Sequence, residues 1–218
     1  AGRDILLAEM TGGHVHIAHM SAWTTLEAVR QGKSRGVHVT AEVCPHHFTL
    51  TDDLLIAPVP YDTNAKMNPP LREERDRKAM IDGIVDGSVD VIATDHAPHH
   101  YDEKNVEFDR APFGIVGLET AVSVCLDRLV RAGLLGLPRL VELMSVNPAR
   151  ILKVPGGTLA PGSVADITVL APDLQVTIDR EKLRSKSKNT PYHGWTFTGG
   201  VAATLVGGRV VYSNPEAG

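Results

Sequence analysis

The side chains best able to do chemistry follow two short apolar runs of the sequence. His19 ends the alternating run H-V-H-I-A-H, and Asp95 comes directly after the β-branched run that starts at Val89. His99 stands four residues beyond Asp95. Because parallel strands end at the same edge of a sheet, we expect His19 and Asp95 to meet there although they lie far apart in sequence.

Imidazole nitrogens and carboxylate oxygens are the ligands that zinc takes in catalytic sites, where one position stays open for water. Zinc brings the pKa of a bound water close to neutral, and a carboxylate beside it can take up and return a proton. His19 and Asp95 therefore predict a metal-dependent hydrolase. Each also has a structural interpretation, because strand-end histidines are often hydrogen-bonded packing and aspartates there are often caps or turn residues.

Eight of the ten histidines cluster at three places within the first hundred residues. We expect some of them to support the ligands through hydrogen bonds or packing rather than to bind a metal. These are His16, His46, His47 and His96. Cys44 and Cys125 are the only cysteines and stand far apart, so they are interpreted as buried, reduced side chains.

Composition excludes several classes of protein. The 218 residues are 43% hydrophobic and 22% charged with a formal net charge of -4, which is typical of a globular protein and predicts neither nucleic acid nor an anionic membrane as partner. No apolar run of about 18 residues and no signal-peptide pattern is present, so a cytoplasmic location is predicted. The chain opens without Met in what resembles a helix under way, which predicts a piece of a longer polypeptide.

Strands and helices alternate in the first part of the chain, which predicts an α/β fold with a parallel sheet. Strands are predicted at 14–19, 37–43 and 89–94, and helices at 3–10, 24–35 and 73–85, with Thr24 and Glu27 as a capping box and Val85 buried. A long irregular stretch at 45–72 leaves the second strand, and loops of that length are commonly functional. Further helices are predicted near 118–132, 137–145 and 148–152.

The sequence pattern changes after Leu152, where predicted short strands are separated by Gly, Pro and Asp. Strands are predicted at 156–170, 175–178, 201–206 and 209–212, with the pair Gly207-Gly208 as a two-residue hairpin turn. The predicted domains are therefore 1–151, which carries the site residues, and 152–218, a small β domain.

The run A-T-D-H-A-P-H-H-Y-D-E-K at 93–104 resembles the signature of type I dihydroorotases, the cyclic-amide hydrolases of pyrimidine biosynthesis within the amidohydrolase superfamily. Other blocks agree with that family in the same order: H-I-A-H-M-S (16–21), T-A-E-V-C-P-H-H (40–47), K-M-N-P-P-L-R (66–72) and A-P-F-G-I-V-G-L-E-T (111–120). The tail G-T-L-A-P-G-S-V-A-D-I (157–167) is similar to the return into the small β domain of such enzymes. The resemblance implies the C-terminal part of a TIM-like (β/α)8 metal-dependent hydrolase barrel plus a small β domain.

Carried over position by position, the resemblance implies the roles of individual residues. His19 and Asp95 match zinc ligands of a site with one or two Zn²⁺, and Asp95 also matches the catalytic acid and base. Four further residues match positions that bind the substrate, dihydroorotate or N-carbamoyl-aspartate: Asn68, His99, Phe113 and Gly114.

The family's first five barrel strands and their ligands have no counterpart in this sequence. The resemblance therefore implies that the chain needs the N-terminal half of the same enzyme as a partner. A homo-oligomer and association with aspartate carbamoyltransferase are further predicted partners. Two other functions remain open: another cyclic-amide hydrolase of hydantoinase or allantoinase type, and a catalytically silent subunit that scaffolds aspartate carbamoyltransferase.

Overall fold

A computed structural model describes residues 1–56 and 58–217. Ala57, inside the long irregular stretch, and Gly218 lie outside the described residues. The chain forms two compact units, which we call the first unit (Ala1–Leu118 with Arg180–Pro191) and the second unit (Glu119–Asp179 with Tyr192–Gly218). The domain boundary between residues 151 and 152 stays a prediction.

The first unit is built on a parallel sheet in which β2 is the central strand. Its strands are β1 (Val15–Met20), β2 (Val39–Val43) and β3 (Val91–Ile92). Its helices are α1 (Gly2–Thr11), α2 (Trp23–Ser34), α3 (Pro45–Thr49), α4 (Glu74–Asp86) and α5 (Tyr101–Lys104). The strand–helix alternation and the parallel pairing confirm the fold predicted for this part of the chain.

The third strand is shorter than the sequence predicts. Asp90 donates its N–H to the Ala41 carbonyl, and its carboxylate accepts the N–H of the same residue at 2.8 Å. A side chain therefore occupies the place of a ladder hydrogen bond, and β3 begins only at Val91.

The start of α2 also differs from the prediction. The helix begins at Trp23 with Ala22 as its N-cap residue, so Thr24 lies within the first turn and the capping box is wrong. Instead, Asp76 of α4 accepts the Trp23 N–H at 2.8 Å. A neighbouring helix supplies the cap, which spacing along α2 alone cannot indicate.

Helices α2 and α4 pack closely where Gly83 faces Leu26. A Cβ at Gly83 would lie 2.7 Å from a Leu26 methyl, so only glycine allows this approach. Met80 and Ile84 complete the buried face of α4. Val85 is 53% exposed rather than buried, because it lies about 100° around the helix from Ile84.

The second unit combines helices with an antiparallel sheet. Its helices are α6 (Ala121–Cys125), α7 (Leu137–Val141) and α8 (Asn147–Leu152), and π-helical turns continue α6 over Leu126–Arg131 and α7 over Glu142–Val146. Its strands are β4 (Ile167–Thr177), β5 (Thr196–Val206) and β6 (Arg209–Ser213), in the order β4-β5-β6. Two strands predicted separately form β4, which carries a bulge between Ala171 and Gln175.

The hairpin predicted between the last two strands is present, and Gly207 and Gly208 have φ angles of 55° and 77°. Positive φ at both turn positions explains why glycine occupies them. Among the described residues, the structure contains no helix with the length and apolarity needed to span a membrane.

Candidate active site

His19 and Asp95 lie at the carboxyl-end edge of the parallel sheet. His19 is the next-to-last residue of β1, and Asp95 follows β3 by three residues. Their φ angles are 36° and 48°, a left-handed conformation that few non-glycine residues adopt. Such conformations concentrate at functional sites, where the surrounding structure holds them in place.

Strand β2 separates the strands that carry these two residues. Two strand spacings place the backbones of β1 and β3 roughly 10 Å apart. Asp95 is exposed, and its carboxylate makes no hydrogen bond or ion pair with the rest of the described chain. The Nδ1 atom of His19 is buried and has no hydrogen-bond partner among the described residues. Both side chains therefore keep a free ligand atom at this edge.

Glu42, which the sequence analysis did not single out, positions His19. Its Oε1 atom accepts the His19 backbone N–H at 3.2 Å, and its Oε2 atom lies 3.1 Å from His16 Nε2. Burial favours the neutral acid, but these two hydrogen bonds outweigh it and lower the pKa of Glu42. A charged residue inside the β-branched run V-T-A-E-V was the sequence signal that could have revealed it.

The end of β2 contributes a second group of ligand atoms between His19 and Asp95. Cys44, His46 and His47 are buried, and one ligand atom from each lies within 4.8 Å of the other two. His46 Nε2 and His47 Nδ1 have no hydrogen-bond partner among the described residues. Sequence spacing did not predict that these three side chains form one group able to hold a metal ion.

Burial sets the protonation states of this group. It lowers the pKa of His46 well below the usual value and that of His47 to about 4, with the neighbouring imidazoles, including His19, acting in the same direction. Burial also raises the pKa of the Cys44 thiol, and the Asp95 and Glu42 carboxylates add to this effect. At neutral pH the group therefore carries neutral imidazoles and a protonated thiol.

The loop that contains Asn68 is tied to the same edge. His47 Nε2 donates to the carbonyl of Pro69 at 2.9 Å, and Arg72 Nε donates to Ser21 Oγ at 3.0 Å. Ser21 directly follows β1, so both anchors lie beside the strand ends. Asn68 is exposed and adjoins the first anchor.

His99, Phe113 and Gly114 form a separate set within the first unit. His99 Nε2 donates to the Phe113 carbonyl at 2.9 Å, and Gly114 has a φ of 128° with its Cβ position blocked by Ala97 at 2.4 Å. Asn189, which the sequence analysis missed, donates to the carbonyls of Ala97 and Gly114 at 3.0 and 3.1 Å. The predicted substrate residues of this loop are thus held together by hydrogen bonds.

His96 takes a structural role, because its Nδ1 atom accepts the backbone N–H groups of Gly117 and Leu118 at 3.1 and 3.4 Å. His16 bonds Thr40 and Glu42 through its two ring nitrogens. These contacts agree with the supporting role expected for both residues.

Comparison with known proteins identifies the family of this chain. The sequence profile of the amidohydrolase family matches residues 5–211. The chain belongs to the amidohydrolase family. It is 54% identical over 209 residues to a dihydroorotase of Pelotomaculum thermopropionicum and 55% identical over 210 residues to one of Geobacter metallireducens, covering 96% of this chain in both cases. The predicted resemblance to dihydroorotases is confirmed.

The chain spans about half the length of these curated relatives, 48% and 49%. Solved structures of similar fold include the dihydropyrimidinase of Brevibacillus agri, with a TM-score of 0.92, 25% identity and coverage of 99% of this chain and 48% of that one. The L-hydantoinase of Arthrobacter aurescens has a TM-score of 0.90, 30% identity and coverage of 97% and 47%. These matches confirm the predicted fold class.

Amidohydrolases are generally metal-dependent, and the donor atoms at this edge suit a metal ion. His19 offers an imidazole with an unpartnered buried nitrogen, and Asp95 offers a carboxylate without a competing hydrogen bond. Nitrogen and oxygen donors of this kind fit zinc. Two donors are fewer than the three or four that a zinc site normally takes, so a zinc ion at this edge would need further ligands.

Proposed function

We propose that this chain supplies part of the active site of a zinc-dependent dihydroorotase, which interconverts dihydroorotate and N-carbamoyl-L-aspartate in de novo pyrimidine biosynthesis. The observation that carries the proposal is the 54–55% identity, over 96% of this chain, to relatives that bear that name. We propose a cytoplasmic location, as predicted from the sequence.

His19 and Asp95 are the zinc ligands that this chain contributes. When bound, zinc would polarise the ring amide carbonyl and favour ionisation of the attacking water. Glu42 fixes the His19 backbone through its 3.2 Å hydrogen bond, so the imidazole is oriented before a metal arrives. One or two ions per complete site are compatible with this ligand set.

Asp95 moves the proton in the proposed reaction. Its carboxylate takes a proton from the attacking water as the new carbon–oxygen bond forms. It then gives that proton to the ring nitrogen as the carbon–nitrogen bond breaks, so the carboxylate is regenerated. Its exposure and its lack of a competing hydrogen bond leave it able to exchange protons in both directions.

Asn68, His99, Phe113 and Gly114 hold the substrate. His99 presents Nε2 to the Phe113 carbonyl, which fixes its ring plane, and Nδ1, which lies 3.5 Å from Glu103 Oε2, is the ring nitrogen left to face the substrate carboxylate. Asn68 can hydrogen-bond the ring amide, and Phe113, which is exposed, offers backbone and ring contacts.

We propose that activity requires the N-terminal half implied by the resemblance. Two ligands seldom hold zinc tightly, and the chain spans only about half of its relatives. The predictions of a homo-oligomer and of a complex with aspartate carbamoyltransferase stay open.

Zinc content and turnover, measured on the chain alone and with the N-terminal half supplied, test this proposal. We expect zinc and dihydroorotate hydrolysis to appear only when both parts are present. Stoichiometric zinc in the isolated chain would contradict the ligand assignment, because Cys44, His46 or His47 would then have to complete the site.

A hydantoinase activity is the second candidate, because the solved structures of similar fold include hydantoinases. Turnover of dihydroorotate, hydantoin and allantoin by the same preparation separates the candidates. Preference for hydantoin would replace the proposed substrate while leaving the metal assignment in place.

A further inference from the structure

Lys104 is a buried lysine that the proposed mechanism does not use. It ends α5 and is only 5% exposed. A lysine seldom becomes this buried without a polar partner, since removing an ammonium from water costs free energy that only hydrogen bonds or ion pairs can offset. The partners of Lys104 are backbone carbonyls rather than a carboxylate.

The Lys104 ammonium donates to two carbonyls that lie on either side of Phe113. Its Nζ atom is 2.9 Å from the Pro112 carbonyl and 3.1 Å from the Gly114 carbonyl, with the Lys66 carbonyl at 3.5 Å. An ammonium has three donors, and these three acceptors match them in number. The side chain thus ties the loop to the segment that carries Lys66.

Three successive carbonyls of this loop accept hydrogen bonds from side chains. The Pro112 carbonyl accepts a hydrogen bond from Lys104, and the Phe113 carbonyl accepts one from His99. The Gly114 carbonyl accepts from both Lys104 and Asn189. Residues 112–114 belong to no strand or helix, so these side chains satisfy backbone groups that secondary structure does not. Lys104 donates to two of these three carbonyls.

We propose that Lys104 is a positioning residue for the substrate, because its ammonium fixes the backbone of Phe113 and Gly114 in the conformation that contacts the ring. This inference rests on the proposed function, in which those two residues touch the substrate. In this role Lys104 acts through the loop and needs no contact with the substrate.

The protonation state of Lys104 is compatible with this role. Burial, helped by the neighbouring Lys66 ammonium and opposed by Asp62, lowers the pKa of Lys104 to about 8. The ammonium form is therefore still the main one at pH 7.

The variant Lys104→Met tests the proposal in the enzyme assembled with its N-terminal half. It keeps an unbranched side chain but removes every donor. We expect KM for dihydroorotate to rise at least tenfold while kcat stays within threefold, because a displaced loop weakens binding of the substrate and of the transition state alike.

Lys33→Met is the matched control. Lys33 also donates to a backbone carbonyl, that of Ser88, and pairs with Asp90, but it has no contact with residues 112–114. We expect its KM to match that of the unsubstituted enzyme. An unchanged KM in Lys104→Met, or an equal rise in both variants, overturns the proposal.

Hydrogen exchange at the Gly114 amide gives a readout that does not depend on turnover. That N–H donates to the Lys66 carbonyl at 2.9 Å, so we expect at least tenfold faster exchange in Lys104→Met than in Lys33→Met. Unchanged exchange overturns the inference. Failure of the unsubstituted enzyme to hydrolyse dihydroorotate overturns the proposed function instead, and the exchange result then decides alone whether Lys104 fixes the loop.

If Lys104→Met does not fold, Lys104→Arg replaces it. A planar guanidinium keeps the charge but cannot repeat the contacts of a compact ammonium with the same carbonyls. We expect KM to rise at least threefold in this variant. A KM equal to that of the unsubstituted enzyme overturns the proposal.

Discussion

Two parts of the first unit carry the candidate site, and they differ in whether their polar groups have hydrogen-bond partners. At the strand-end edge, His19, His46 and His47 each keep a buried nitrogen without a hydrogen-bond partner among the described residues. In the segment at 96–117, the loop that follows α5 has carbonyls at Pro112, Phe113 and Gly114 that all accept hydrogen bonds from side chains.

Buried polar atoms are normally satisfied, so unsatisfied ones identify places that other groups complete. The edge therefore offers buried ligand atoms that a metal ion could satisfy. The loop is already formed by hydrogen bonds from its own side chains and from Asn189, so it can present Phe113 and Gly114 without further help. Function at the edge should therefore depend on the metal ion and further residues that complete it. Function at the loop should depend on the hydrogen bonds that are already formed.

The largest expected effect follows from Asp95→Ala. Loss of a general acid and base lowers kcat by roughly a hundredfold to ten-thousandfold, and loss of a ligand lowers zinc content as well. Turnover and zinc are measured on the enzyme with its N-terminal half. Asp53→Ala, which removes an exposed carboxylate elsewhere in the first unit, is the control, and near-normal kcat in Asp95→Ala would contradict the assignment.

Acid should lower the stability of the folded chain through His47. The pKa of His47 is about 4 in the folded chain against 6.5 for a free imidazole, so between these values the unfolded chain binds a proton that the folded chain does not. The free energy of unfolding therefore falls as pH decreases from 6.5 to 4, by about 3 kcal/mol from His47 alone.

Denaturant unfolding of the chain at several pH values measures this loss. His47→Gln can still donate to the Pro69 carbonyl and does not titrate, so the acid-induced loss should be smaller in this variant. Equal losses in both proteins would show that His47 is not the source.

His99→Ala should act at the loop and leave the edge unchanged. A hydrogen bond to a charged group contributes about 1.5–3 kcal/mol, so KM for dihydroorotate should rise by roughly tenfold to a hundredfold with zinc content unaltered. Parallel kinetic and elemental analysis checks both statements. Loss of zinc in His99→Ala would move this residue into the metal site and erase the distinction between the two parts.

The smallest effect is expected for Cys44→Ala. The raised pKa of Cys44 keeps its thiol protonated, so it is a poor nucleophile and a weak metal ligand at neutral pH. We expect kcat within threefold of the unsubstituted enzyme and slow alkylation of Cys44 by iodoacetamide. Strong inactivation or loss of zinc would show that the buried group at 44–47 holds a metal.

The sequence predicted the parallel sheet and the places of His19 and Asp95, because alternation and β-branched runs are local patterns. It missed the cap of α2, since Asp76 comes from another helix. It also gave Cys44 a packing role alone, because the contact with His46 and His47 depends on how α3 turns after β2.

Residue types and their order by themselves determined the fold class, the family and the identity of the ligand candidates. The tertiary structure decided which of these groups have hydrogen-bond partners. Glu42 bonds His19, Pro69 bonds His47, and both Lys104 and Asn189 bond Gly114. These partners lie 22 to 75 residues apart in three of the four pairs. Hydrogen-bond satisfaction and desolvation depend on distances in space, and sequence spacing does not specify those distances until the strands and loops have packed.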